Sequence, residues 1–83
     1  RLSIIDTSSI ANQPMWDDTS RYCIVFNGEI FNFQELRHTL QAKGISFHSQ
    51  SDTEVLLQLY IHEKEKCLNK LNGFFAFCVY DKE

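Results

Sequence analysis

Residues 21–44 read RYCIVFNGEIFNFQELRHTLQAKG, and the fold turns on this stretch. Arg21 to Phe26 is β-branched and aromatic, which predicts a strand. The apolar run stops at Asn27-Gly28. Asn32 then stands ahead of Phe33, Leu36 and Leu40, an i, i+3, i+7 stripe, with Glu35 three residues after it. That is a helix start with a capping-box-like partner. The helix is expected to run to about Lys43, where Gly44 supplies the left-handed stop.

Downstream, Ile45 to His48 reads as a short strand. Ser51-Asp52-Thr53-Glu54 opens a second helix as a capping box of the form S-x-x-E. Val55, Leu56, Leu59 and Tyr60 give that helix one apolar face, and Lys64-Glu65-Lys66 a solvated end. Asn72-Gly73 marks a turn. Phe74 to Tyr80 (FFAFCVY) is almost continuously apolar, as a strand covered on both faces would be. Upstream, Leu2 to Ile5 reads as a strand ended by Asp6, Thr7 to Asn12 is small and polar, and Pro14 pushes Gln13 to an extended conformation. The expected order is strand, strand, helix, strand, helix, strand, an α+β arrangement with both helices free to cover a sheet. Arg1 in place of an initiator Met reads as a start inside a longer chain, with at least one partner strand still to be supplied.

At 83 residues the chain suits one small domain or part of a larger one. Apolar residues make up 43% and aromatics 13%, a packed-core composition and not a disordered one. The net charge of −3 excludes the basic footprint of a nucleic-acid binder or an anionic-membrane patch. No apolar run approaches the ~20 residues a membrane-spanning helix needs, and no signal peptide is visible. Cys23, Cys67 and Cys78 are odd in number and widely spaced, with no CxxC pair and no His at ligand spacing. A disulfide framework or zinc site is therefore not expected. Cys23 and Cys78 lie inside apolar runs and read as small buried hydrophobes, and the compartment reads as reducing and cytoplasmic. His38, His48 and His62 share no metal spacing and read as partly exposed or core-edge.

Three groups of residues carry candidate chemistry. Asn27-Gly28-Glu29 first reads as a tight hairpin turn, because Asn-Gly accepts positive φ at low cost. It also reads as an oxyanion hole, in which a side-chain amide and a Gly N–H point at one developing negative oxygen. Ser51 and Glu54 read as a helix start. Asp52 is surplus to the box, and the helix dipole is expected to keep its carboxylate ionised, ready for a substrate ammonium. Arg1 reads as a surface charge, although a guanidinium is a natural bidentate partner for a carboxylate.

Five segments taken together resemble the class II glutamine amidotransferase domain, in its asparagine synthetase branch. They are RLSIID (1–6), QPM (13–15), FNGEIFNFQELR (26–37), SDTEVLL (51–57) and LNGFFAFCVYD (71–81). Each is weak alone; their order and spacing across nearly the whole chain are specific. The resemblance implies part of an αββα four-layer sandwich of the N-terminal-nucleophile hydrolase type, with residues 1–83 an internal part of one such domain. It implies that Arg1 holds the α-carboxylate of glutamine, that Asn27 and Gly28 form the oxyanion hole, and that Glu29 and Asp52 contact the α-amino group. Phe31 and Phe74 depart from the family pattern, where Tyr and Met are usual; Phe31 forfeits a hydroxyl.

The family's nucleophile is a Cys at the mature N-terminus, whose thiol attacks the amide and whose α-amine serves as base. Cys23, Cys67 and Cys78 match no such position, so this segment alone is expected to be inactive. The implied parent releases ammonia from glutamine for ATP-dependent amidation of aspartate to asparagine. No cofactor is expected in this domain, with ATP and Mg2+ held by a separate synthetase domain in a parent that is a candidate homodimer. Three other readings stay open: a non-catalytic glutaminase-like scaffold module, another class II amidotransferase with a different acceptor, and an unrelated α/β domain with coincidental turns.

Overall fold

The computed structural model describes residues 13–83. In chain order the elements are β1 (Met15–Trp16), β2 (Tyr22–Ile30), α1 (Phe33–Ala42), α2 (Asp52–Glu63), a 3-10 segment (Lys64–Lys70) and β3 (Gly73–Asp81). The strand expected at Leu2 to Ile5 lies outside the described residues.

The sheet is antiparallel, in the order β1-β2-β3. Met15 and Trp16 pair with Ile24 and Cys23. β2 and β3 pair along their whole lengths, from Tyr22↔Asp81 to Ile30↔Gly73. The far end of this ribbon is held by a bidentate ion pair, Arg21 Nε to Asp81 Oδ1 at 2.7 Å and Arg21 Nη2 to Asp81 Oδ2 at 3.0 Å. The Arg21 guanidinium draws the Asp81 carboxyl down to about 2.

The hairpin-turn reading of Asn27-Gly28 is overturned. β2 runs straight through both residues, with Asn27 opposite Ala76 and Gly28 opposite Phe75. Gly28 is needed for close approach and not for a turn. At its φ of 134°, a Cβ would run into the Phe74 carbonyl and stand 2.7 Å from the Phe75 Cα. The sequence suggested a stop because Asn-Gly is turn-like locally, whereas the long partner strand lies far downstream and overrides it.

One face of the sheet carries the core. Tyr22, Ile24, Phe26 and Ile30 of β2 are buried with Leu36 and Leu40 of α1, Val55, Leu56, Leu57 and Leu59 of α2, and Cys67. Phe75, Phe77 and Val79 of β3 pack against this cluster and stay partly exposed. The alternation follows from the two-residue period of a strand. The opposite face bears Val25, Asn27 and Glu29 from β2 and Phe74, Ala76, Cys78 and Tyr80 from β3, all exposed. β3 is thus covered on one face among the described residues, not on two. The result is a helical layer on a sheet, two adjacent layers of the four expected.

Three local details differ from expectation. Asn32 occupies the α1 N-cap position without a side-chain cap. Its amide instead donates from Nδ2 to the Lys70 carbonyl at 2.7 Å and accepts the Asn72 N–H at 3.0 Å, tying the helix start to the approach of β3. Residues 45–48 form no strand; the backbone N–H of His48 goes to the Glu54 carboxylate and not to a neighbouring strand. Cys78 is exposed and Cys23 half-buried, where both were expected to be buried; the buried thiol is Cys67. Elsewhere the local signals hold. Gly44, at φ 94°, ends α1 with Ile45 N–H bonded to the Leu40 carbonyl and Gly44 N–H to that of Gln41, a Schellman stop.

Candidate functional site

The site is built where β2 passes the start of α2. Alternate residues of an antiparallel strand turn their backbone groups to opposite edges. The N–H of Phe31, one residue past β2, bonds to the Asn72 carbonyl, and the N–H of Lys82 to that of Arg21. Odd-numbered residues of β2 therefore face β3. Even-numbered ones face the other edge, where Tyr22 exchanges bonds with Asp17 and Ile24 pairs with Met15. β1 goes no further. Peptide planarity then sets the N–H of Gly28 on the β1 edge, beyond the point where β1 ends.

The Asn27 side chain sits on the uncovered sheet face, and Glu29 is exposed on the same face one pleat further on. Asp52 is the first residue of α2 and half-buried. Burial pushes its carboxyl above the ordinary value of 3.8, the N–H groups of Ile30, Asp52 and Thr53 pull it down, and the Glu29 carboxylate pushes it up again. The net direction is upward, because desolvation outweighs the backbone N–H groups at the helix start. These causes also locate the group. Asp52 lies against the Ile30 amide at the end of β2, within electrostatic reach of Glu29. Asn27, Gly28, Glu29 and Asp52 share one corner of the fold. Arg1 lies outside the described residues.

The loop before α2 is held from inside. Ser51 caps the helix by accepting the Glu54 N–H at 3.3 Å, as the S-x-x-E pattern predicts. Glu54 does not return the bond to Ser51. Its buried carboxylate accepts the N–H of His48 at 2.9 Å, the N–H of Ser49 at 2.8 Å and the Ser49 hydroxyl at 2.7 Å. Half of the capping box is thus redirected to clamp the turn that delivers Asp52.

No described cysteine is placed as a nucleophile. Burial pushes the Cys67 thiol above 9.0, the opposite of activation, while Cys23 and Cys78 lie on β2 and β3 with no base beside them. Among the described residues no cluster of His, Cys, Asp and Glu could hold a metal, and no helix is long and apolar enough to cross a membrane. All three histidines are exposed. Phe31 and Phe74, the two departures from the family pattern, touch each other edge to face with ring centroids 6.0 Å apart.

The family model of the glutamine amidotransferase domain matches residues 1–83. The chain belongs to this glutamine amidotransferase family. It is 51% identical over 82 residues to an asparagine synthetase [glutamine-hydrolyzing] of Bacillus subtilis, covering 99% of this chain and 13% of that protein. It is 40% identical over 83 residues to asparagine synthetase B of Escherichia coli, covering all of this chain and 15% of that one. Among solved structures it resembles the glutamine phosphoribosylpyrophosphate amidotransferase of B. subtilis, with a TM-score of 0.70 and 26% identity over 84% of this chain and 18% of that one. The amidotransferase chain therefore spans about one seventh of the length of these curated relatives. Its helix-on-sheet layers are part of the αββα amidotransferase sandwich.

Proposed function

We propose that this chain forms the glutamine-holding corner of a glutaminase domain whose parent passes ammonia to aspartate in an ATP-dependent synthesis of asparagine. The observation that carries the reading is the placement of Asp52 at the end of the strand that bears Asn27, Gly28 and Glu29. Asp52, whose ionisation is opposed by burial and by the nearby Glu29 carboxylate, offers a place where a substrate ammonium is favoured, because the added positive charge favours the carboxylate form. On the adjoining stretch of strand, an amide side chain and a glycine N–H are the donors an acyl-transfer oxyanion requires. The two ends of glutamine are thereby addressed by different chemistry. Arg1 takes the α-carboxylate on the strength of the resemblance.

The reaction needs a thiol from outside the described residues, supplied in this reading by a Cys at the mature N-terminus of the parent. Its attack on the side-chain amide carbon pushes charge onto the oxygen that Asn27 and Gly28 stabilise. Collapse expels ammonia, and water then releases glutamate from the thioester. The segment of residues 1–83 by itself is inactive. ATP and Mg2+ belong to a separate synthetase domain, and the parent is a cytoplasmic homodimer. Identity of 51% to an asparagine synthetase against 26% to the phosphoribosylpyrophosphate enzyme favours aspartate as acceptor over a phosphosugar.

Asn27→Ala in the full-length protein tests the assignment. Loss of one oxyanion donor is expected to slow glutamate release by about 10²–10³-fold, while synthesis from added ammonia continues at the wild-type rate. An unchanged glutaminase rate would remove Asn27 from the mechanism.

A further inference from the structure

Beyond the end of β1, the edge of β2 is closed by a side chain. Two places on in register from Met15↔Ile24, past Pro14 and Val25, Gln13 would stand opposite Phe26. The side-chain amide of Gln13 takes that place. Its Oε1 accepts the Phe26 N–H at 2.6 Å and its Nε2 donates to the Phe26 carbonyl at 2.7 Å. A primary amide carries an acceptor and donors side by side, so it satisfies both backbone groups of one strand residue, as a paired strand does. Phe26 is the residue before Asn27, and its peptide carbonyl belongs to the same plane as the Asn27 N–H. The Gly28 N–H leaves the same edge two residues on. QPM was among the segments that mark the family, yet none of the roles drawn from the glutamine pocket uses it.

We infer that Gln13 is a positioning residue for the glutamine site: by clamping the free edge of β2 at Phe26, it fixes the direction of the Asn27 side chain and the Gly28 N–H. This rests on the glutaminase reading above. β3 anchors the odd-numbered residues from the other side, but the edge that carries Gly28 has no other described anchor between Ile24 and Ile30. Oxyanion donors act only within about half an ångström of the correct place. A one-sided strand does not hold that tolerance, and a two-sided one does.

Two substitutions in the full-length protein test this, with steady-state glutamine kinetics and ammonia-dependent synthesis measured side by side. Gln13→Ala removes both bonds. The expected result is a fall in kcat for glutamate release of about 10–100-fold, the scale of a misplacement near 1 Å, with glutamine KM little changed and ammonia-dependent synthesis intact. Gln13→Glu keeps the shape and the acceptor, but as a carboxylate it sets an oxygen against the Phe26 carbonyl. Once protonated it regains a donor, so its rate relative to wild type is expected to climb as pH falls. That pH signature does not arise from a general loss of folding, and the isosteric variant carries the test if the alanine variant fails to fold. Unchanged kcat in both variants overturns the inference. So does a parallel loss of glutamine- and ammonia-dependent activity, or a ratio for Gln13→Glu that is flat with pH. Asn27→Ala serves as the control: if it too leaves glutamate release unchanged, the glutaminase reading has failed and takes this inference with it. If it slows release while both Gln13 variants do not, only the clamp is wrong.

Discussion

Asp52 shows how a single carboxylate is set by its surroundings. Its pKa is raised first by burial and further by Glu29, with three backbone amides pulling the other way. A raised carboxyl pKa means the folded state holds the proton more tightly than the unfolded one. The stability this contributes is fully present below the unfolded value and is lost as pH rises through the folded one. Asp52→Asn keeps the group neutral throughout. Thermal melts of the full-length protein are therefore expected to show a variant no less stable than wild type at neutral pH, with a flatter stability profile from about pH 4 upward. Glutamine KM should rise in the same variant, since the ammonium has lost one of two acids. A lower melting temperature at pH 7 together with an unchanged KM would assign Asp52 to the fold and not to the substrate. The sequence pointed to Asp52 because the capping box left it over. It could not give the sign of the shift, which depends on burial against β2, a contact between segments distant in the chain.

At the scale of elements, local chemistry was readable and long-range pairing was not. The start and stop of α1 and the Ser51 cap of α2 follow from nearest neighbours, and they stand where the residues predict. Asn27-Gly28 misled because β3 decides its conformation from nearly fifty residues away. Glu54 misled in a subtler way. Three-residue spacing after Ser51 fits a capping box, but a buried carboxylate takes whichever N–H groups reach it, and here those belong to His48 and Ser49. Glu54→Ala leaves both amides without their acceptor, at a cost of about 2–3 kcal/mol read by denaturant unfolding. Because those bonds shape the turn ahead of Asp52, glutamine KM should rise as well. A stable variant with wild-type KM would show that the turn holds itself.

The whole molecule is one side of a sandwich. Its helices bury one sheet face, while Val25, Phe74 and Tyr80 stand more than half exposed on the other. An apolar sheet face of this kind calls for a covering layer. FFAFCVY was legible as a strand, but among the described residues only one of its two faces is covered, which a continuous apolar run does not reveal. Asn27 and Glu29 of the proposed glutamine corner stand exposed on that open face. The most direct test is glutamate release from glutamine by the full-length protein with its natural N-terminus, before and after its N-terminal residue is blocked. The account predicts glutamate in the first case and none in the second, with ammonia-dependent synthesis surviving the block. Glutamine that binds without yielding glutamate, whatever acceptor is present, would contradict it and leave the corner a binding site on a scaffold.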